Sequence, residues 1–310
     1  MMPVNRSYYS FGVTGYPLGH SLSPRLQEAA LHASGLAGEY RLYPIPPLPG
    51  GQESLEALLA SFRQGKLDGL NVTIPHKQAV IPYLDELTPL AAQIGAVNTI
   101  YRRGGSLVGD NTDAPGFMAD LLKQFPGASA PQSALLLGAG GATRAVTYAL
   151  QAAGWRVTIA ARRTAAAQEI RDSFTFLNQE CEVIGLDALP SYVLSLENLL
   201  QKQNSIPEGS CPSPLTLIVN TTPVGMTPNT AHSPWPEDLP FPSRVFIYDL
   251  VYNPADTVLV NAARAAGLQA ASGLGMLIEQ AALGFERWTG IRPSFAAMRQ
   301  GVMPDVESYE

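Results

Sequence analysis

The stretch Ser133-Ala134-Leu135-Leu136-Leu137-Gly138-Ala139-Gly140-Gly141-Ala142-Thr143-Arg144-Ala145 decides the reading of the fold. A short apolar run breaks into a glycine turn and then opens a helix, the order a dinucleotide pyrophosphate requires. Gly138 permits the tight turn. Gly140 and Gly141 let bare backbone N–H groups approach phosphate oxygens, and the helix that follows aims its positive end at them. Ala142, Val146, Ala149, Leu150 and Ala153 share one face of that helix, Gly154 stops it, and Trp155–Ala160 reads as a second strand. Glycine also serves ordinary turns, so the competing reading is purely structural. The complete strand–turn–helix–strand order favours the nucleotide site.

The end of the second strand selects the nucleotide. An NAD site carries an acid about 20 residues past the first glycine to bind the ribose 2′-hydroxyl. Here the chain reads Ala160-Ala161-Arg162-Arg163-Thr164, with no acid. Two guanidiniums and a hydroxyl suit a 2′-phosphate, which arginine grips through parallel hydrogen bonds. The bland alternative is a pair of solvated surface charges. At this strand end the expectation is NADP.

A chain of 310 residues is long enough for two domains. Its 46% hydrophobic and 15% charged content is that of a globular protein. No apolar run of about 18 residues occurs, and no basic-then-apolar leader opens the chain, so neither a membrane span nor a secretory signal is expected. A net charge of −6 argues against nucleic acid or an anionic membrane as partner. Cys181 and Cys211 have no CxxC spacing, and the four histidines are scattered. Metal chemistry and a disulfide framework are therefore not indicated, and a reducing cytoplasm is the simplest home. Oligomeric state is left open between monomer and homodimer.

Up to about residue 110, short strands alternate with helices, which predicts α/β layering with mostly parallel strands. Phe11–Gly15 reads as a strand, and Ser23-Pro24 starts a helix that Gly35 ends, with Ser23 as its cap. Tyr40–Pro44, Gly69–Ile74, Gly95–Tyr101 and Leu107–Gly109 read as strands, and Leu55–Gln64 and Gly116–Phe125 as helices. From Ser133 to about Ser272 the pattern is a nucleotide-binding βαβ series, with Leu215–Asn220 and Val245–Leu250 as buried parallel strands. Pro190–Pro214 reads as a surface connection holding one helix over Tyr192–Gln203, and Gly275–Trp288 and Phe295–Gly301 read as helices.

Several further segments share one likeness. Gly15-Tyr16-Pro17-Leu18-Gly19-His20-Ser21-Leu22-Ser23-Pro24, Asn71-Val72-Thr73-Ile74-Pro75-His76-Lys77, Gly95-Ala96-Val97-Asn98-Thr99 and Gly109-Asp110-Asn111-Thr112-Asp113 occur in this order. After Gly138–Ala145 come Asn220-Thr221-Thr222-Pro223-Val224-Gly225-Met226, Asp249–Pro254, and Gly273-Leu274-Gly275-Met276 with Gln280. Together these resemble the shikimate dehydrogenase family nearly end to end. The resemblance implies NADP-linked, reversible reduction of 3-dehydroshikimate to shikimate, on the route to chorismate and the aromatic amino acids. It implies two α/β domains: a discontinuous substrate domain, residues 1–112 and 273–310, and a Rossmann-type doubly wound NADP domain, residues 113–272.

The residues carry their own argument. A carbonyl receiving hydride builds negative charge on oxygen and needs a proton donor within reach. Lys77 falls at the expected start of a helix, where the dipole disfavours a cation. It is either exposed and tolerated, or held for acid–base work. Asp113 opens the next helix, and a plain N-cap is its simple reading. The resemblance pairs Lys77 with Asp113 across a substrate hydroxyl as the catalytic groups. Ser21 and Ser23 frame a helix N-terminus; Ser21 is not needed for capping, which tips the pair toward a substrate carboxylate. Asn71 and Thr73 share a strand face that suits a polyhydroxylated ring or merely solvent. Asn98, between apolar flanks, is a buried amide that wants partners.

By resemblance Asn71, Thr73, Asn98, Asp113 and Gln280 hold substrate hydroxyls, with Tyr252 close by. The same resemblance implies that Gly138, Ala139, Gly140, Gly141, Ala142, Ala161, Arg162, Arg163, Thr164, Leu250, Gly273 and Met276 bind the cofactor. The family reads Asn-Arg-Thr where this chain has Ala161-Arg162-Arg163-Thr164, so counting from the strand selects Arg162 and counting from the threonine selects Arg163. Two rivals remain: a quinate/shikimate dehydrogenase of relaxed cofactor choice, and a catalytically silent NADP-binding sensor on the same fold.

Overall fold

The computed structural model describes residues 7–128, 132–202 and 215–303. The chain divides into two compact units, Met1–Gly116 with Leu277–Glu310, and Phe117–Met276.

The first unit begins with β1 (Tyr9–Gly15), α1 (Ser23–Ala33), β2 (Gly38–Pro44), α2 (Gln52–Arg63) and β3 (Gly69–Val72). It continues through α3 (His76–Ala79), β4 (Glu86–Leu87), α4 (Pro89–Ile94), β5 (Thr99–Arg103), β6 (Ser106–Asp110) and the start of α5 (Asp113–Gln124). Six strands form one sheet in the order β2-β1-β3-β5-β6-β4. The expected parallel pairing holds for β1 with β2 and β3 and for β4 with β6, but β5 runs antiparallel to both β3 and β6. The cause is local: β5 and β6 are joined at Gly104-Gly105, with Gly104 at φ +63°, and a tight hairpin returns the chain antiparallel. Helix α2 turns Leu55, Leu58, Leu59 and Phe62 into a core with Leu70, Val72, Val97, Ile100 and Leu107. Its apolar residues recur at three- and four-residue spacing, so burying that stripe is what fixes the helix on the sheet.

The second unit contains β7 (Ser133–Leu137), α6 (Gly141–Ala152), β8 (Arg156–Ala161), α7 (Thr164–Ser173) and β9 (Cys181–Gly185). Then follow α8 (Leu189–Lys202), β10 (Leu215–Asn220), β11 (Phe246–Asp249), α9 (Val258–Ala265) and β12 (Ala270–Ser272). All its strands are parallel, in the order β12-β11-β10-β7-β8-β9. Numbered from β7, that is the doubly wound order of dinucleotide-binding sheets, and it reverses between β7 and β10. The reversal opens a crevice at the carboxyl ends of those two strands, where ligands of this architecture bind. The stretch 203–214, including Cys211, lies outside the described residues.

Helices α10 (Leu274–Thr289) and α11 (Phe295–Val302) are the last elements among the described residues. Phe285 and Trp288 of α10 meet Phe11 of β1, the indole stacked at 4.8 Å between centroids and the phenyl edge-on at 5.9 Å. Trp288 lies where a Cβ on Gly69 would be, which is why that strand opens with glycine. The far end of the sequence thereby completes the core of the first unit. Among the described residues no helix is long and apolar enough to cross a membrane.

Candidate active site

Lys77 sits on α3, a single turn of four residues. So short a helix aligns too few peptides for the expected dipole penalty on the cation. Lys77 is anchored through its backbone, its carbonyl accepting from Val97 N at 2.7 Å. Its Nζ donates to Asp113 Oδ2 at 2.7 Å, with side-chain exposures of only 16% and 7%. Asp113 opens α5, but its carboxylate goes to Lys77 and to Asn98, whose Nδ2 donates to Oδ1 at 2.8 Å. Asn111 does the capping instead, Oδ1 accepting from Ala114 N at 3.2 Å. That division of labour leaves both oxygens of Asp113 facing other motifs.

Asn98 lies just ahead of β5 rather than within the expected strand over Gly95–Tyr101. Gly95, at φ +69°, instead ends α4, a helix absent from the strand reading. The Asn98 backbone joins three segments, donating to Asp110 O and accepting from Val72 N. Its Oδ1 accepts from Thr112 N at 2.7 Å, and Nδ2 also reaches Thr112 Oγ1 at 2.9 Å and Gln280 Oε1 at 3.3 Å. Gln280 reaches this cluster because Gly116 lets α10 approach α5: a Cβ there would stand 2.8 Å from Gln280 N.

Asn71 is buried, not on a solvent face. Its Oδ1 accepts from Tyr40 Oη at 2.8 Å, and Nδ2 donates to Asn98 O and Thr99 Oγ1, both at 3.2 Å. Thr73 lies one residue past the end of β3, its N–H still donating to Thr14 O at 2.9 Å. Its methyl group occupies the space a Cβ on Gly15 would need. At α1 the cap is Leu22, without a side-chain bond, and Ser23 is the first helical residue. Ser21 makes the local turn, Oγ accepting from Ser23 N at 3.3 Å. Ser23 therefore does not cap α1 as expected, and both hydroxyl-bearing residues stand at the start of the helix.

In the second unit the glycine turn stands at the strand reversal. Gly138 has φ +122°, and a Cβ there would meet Thr221 Oγ1 at 2.8 Å and Thr222 Cγ2 at 2.9 Å. Thr221, just past β10, donates to Leu137 O at 2.7 Å, and its Oγ1 lies 2.8 Å from that of Thr143. Gly140 caps α6 in extended geometry, exposed, with nothing within 4 Å of a Cβ position. A phosphate has room to reach the first-turn N–H groups there, which have no partner inside the helix. Ala139 and Ala142 flank this turn. Strand β8 ends at Ala161; Arg162, Arg163 and Thr164 follow, exposed, with Arg163 capping α7 and Thr164 its first residue. Both guanidiniums and the hydroxyl are therefore available to a 2′-phosphate, and no acid intrudes. These residues fit NADP.

Gly273 N donates to Val251 O, and a Cβ on Gly273 would collide with the Leu250 backbone, so β11 and β12 close tightly at their carboxyl ends. Tyr252 is half-buried, and burial raises its phenol above the ordinary range. Burial likewise raises the Asp249 carboxyl, against the lowering effect of donors from Thr257, Val251 and Asn220. Met276 is buried at the start of α10. Among the described residues no group of three or more His, Cys, Asp or Glu side chains converges as a metal site. Tyr40, Thr99, Asn111 and Thr112 join the polar cluster without having been expected there. Three of them lie inside quoted motifs, whereas Tyr40 has no local sequence signal.

Two family models match the chain: the shikimate dehydrogenase substrate binding domain over residues 13–100, and the shikimate 5'-dehydrogenase C-terminal domain over residues 273–303. The shikimate dehydrogenase (NADP(+)) of Carboxydothermus hydrogenoformans is 37% identical over 301 residues, covering 97% of this chain and 99% of that protein. The shikimate 5-dehydrogenase of Thermus thermophilus, solved with NADP(H) and shikimate, superposes with a TM-score of 0.75 at 35% identity. That match covers 94% of this chain and 98% of the other. A quinate dehydrogenase from Corynebacterium glutamicum, solved with NAD, superposes with a TM-score of 0.79 at 30% identity, covering 96% and 99%.

Proposed function

The chain belongs to the shikimate dehydrogenase family, and from that premise we propose that it catalyses the NADP-dependent, reversible reduction of 3-dehydroshikimate to shikimate. It is then an oxidoreductase acting on a secondary alcohol, on the route to chorismate and the aromatic amino acids, and we place it in the cytoplasm. The observation that carries the chemistry is the 2.7 Å contact between Lys77 Nζ and Asp113 Oδ2, held by Asn98.

When bound, NADP supplies or accepts the hydride at the reacting carbon. Everything else falls to the protein. As shikimate is oxidised, its hydroxyl must release a proton, and in the reverse direction the carbonyl oxygen must gain one. The Lys77–Asp113 pair exchanges that proton. Both side chains retain some exposure, and Asp113 spends one oxygen on Asn98, so the ammonium and the second oxygen remain on the substrate side. Ser21 and Ser23 are proposed to hold the substrate carboxylate, and Thr73, Asn98, Gln280 and Tyr252 its hydroxyls. Gly138, Ala139, Gly140, Gly141 and Ala142 would cradle the pyrophosphate, with Ala161, Arg162, Arg163 and Thr164 around the 2′-phosphate. Leu250, Gly273 and Met276 would flank the nicotinamide.

The test is turnover efficiency over four pairings, shikimate or quinate with NADP⁺ or NAD⁺. Shikimate with NADP⁺ is expected to exceed each other pairing by about tenfold or more. Equal efficiency with quinate and NAD⁺ would replace the proposal by relaxed specificity. No growth of reduced-nicotinamide absorbance in any pairing would leave only the NADP-binding sensor.

A further inference from the structure

The Lys77–Asp113 pair stands at the end of a buried chain of hydrogen bonds that begins on β2, in no motif. Tyr40 Oη donates to Asn71 Oδ1 at 2.8 Å. The Asn71 amide therefore turns Nδ2 toward Asn98 O and Thr99 Oγ1, each at 3.2 Å, and both its hydrogens are used. Thr99 Oγ1 accepts from Asn71, so its single proton points onward, to Asn98 Oδ1 at 3.2 Å or to Thr112 Oγ1 at 3.3 Å. With Thr112 N also donating to Asn98 Oδ1, the Asn98 carboxamide keeps its oxygen toward Thr99 and Thr112. Its Nδ2 is thereby presented to Asp113 Oδ1 at 2.8 Å. A flipped amide would set two acceptors against each other at Asp113 and two donors against each other at Thr112. Tyr40, Asn71, Asn98, Thr99, Thr112 and Asp113 are each at most 8% exposed, so water offers little substitute for a lost partner.

We propose that Tyr40, Asn71 and Thr99 are positioning residues, a one-way hydrogen-bond chain that fixes which face of Asn98 meets Asp113 and so aims the carboxylate at Lys77. Asn71 then acts through Thr99 and not on a substrate hydroxyl, the role the family resemblance assigned it. The inference rests on the acid–base reading of Lys77 and Asp113.

The experiment compares Thr99→Val, which keeps the shape but neither donates nor accepts, with Thr99→Ser, which retains the hydroxyl. Thr99→Val is expected to lower kcat about tenfold while KM for shikimate moves less than about threefold, and Thr99→Ser to restore kcat to within about twofold. An unchanged kcat in Thr99→Val, an equal loss in Thr99→Ser, or an effect confined to KM would overturn the proposal. Should Thr99→Val fail to fold, Tyr40→Phe removes a single oxygen at the head of the chain. It is expected to lower kcat about threefold, and no change would be decisive against the chain. The ¹³C resonance of the Asp113 side-chain carboxyl supplies a readout independent of turnover. It is expected to shift in Thr99→Val or Tyr40→Phe, and an unmoved resonance overturns the chain. An inactive wild-type protein whose Asp113 resonance still responds would defeat the assigned reaction and leave the hydrogen-bond chain standing.

Discussion

Lys77 and Asp113 are 36 positions apart in sequence, and each has an ordinary local reading, a surface lysine and a helix cap. Folding removes both readings. Asn111 takes over the capping, and Val97 fixes the backbone beneath Lys77, so neither charged group is needed for the local structure it sits in. Lys77→Ala should accordingly leave the fold intact while removing the ammonium from a carboxylate whose side chain is 7% exposed. We expect kcat to fall by about 10²-fold or more, roughly 2.7 kcal/mol in the barrier, with a smaller change in KM for shikimate. Steady-state rates at saturating NADP⁺ check this, and near-normal turnover would discard the acid–base role. Of the residues around this pair, Asn98 was legible because Ala96, Val97 and Ile100 marked it as a buried amide. Tyr40 was not, because its contribution depends on β2 and β3 both flanking β1, a pairing no local pattern encodes.

Elements position the two sets of ligands through close approaches at glycine, and these separate cleanly. On α5, Gly116 admits the backbone of α10 at Gln280; after β7, Gly138 admits the Thr221-Thr222 corner at a left-handed φ. Gly116→Ala should displace Gln280 from Asn98 and raise KM for shikimate several-fold while leaving the Kd for NADP⁺ within about twofold. Gly138→Ala adds backbone strain of about 1–3 kcal/mol at the nucleotide turn and should weaken NADP⁺ with little change in shikimate binding. Fluorescence titration with NADP⁺ and a shikimate saturation curve on both variants test the pair. The two substitutions giving the same profile would contradict the assignment. The glycine turn was readable because strand, turn and helix follow one another in sequence. Helix α4, just before the expected strand, was left unassigned because it is only six residues long; Thr88 Oγ1 accepting from Ala91 N and Gly95 in the left-handed region mark its start and stop. The antiparallel β5 eluded a reading built on βαβ units, since two glycines replace the crossover helix there.

At the scale of the whole molecule, burial acts in one sense on the weakly acidic groups of both units. It raises the phenols of Tyr43 and Tyr101 in the first unit, and in the second those of Tyr192, Tyr252 and, well above the ordinary range, Tyr248. It also pushes the Cys181 thiol up to about 11. Tyr248 is the extreme case because it is fully buried and, in addition, its hydroxyl bonds the buried Asp120 carboxylate, whose charge opposes a second one on the phenol. Each group keeps its proton longer when folded than when unfolded. Above the ordinary pKa of a thiol, near 9, and of a phenol, near 10, the unfolded chain therefore binds fewer protons, and the derivative of unfolding free energy with pH is negative. Stability should be level between about pH 7 and pH 8.5 and decline steadily from about pH 9 upward. Urea midpoints measured at half-unit intervals from pH 7 to pH 11 check the onset. Tyr192→Phe supplies the control: by deleting one buried phenol it should make the alkaline decline shallower, whereas an unchanged slope would show that the buried hydroxyls are not its source.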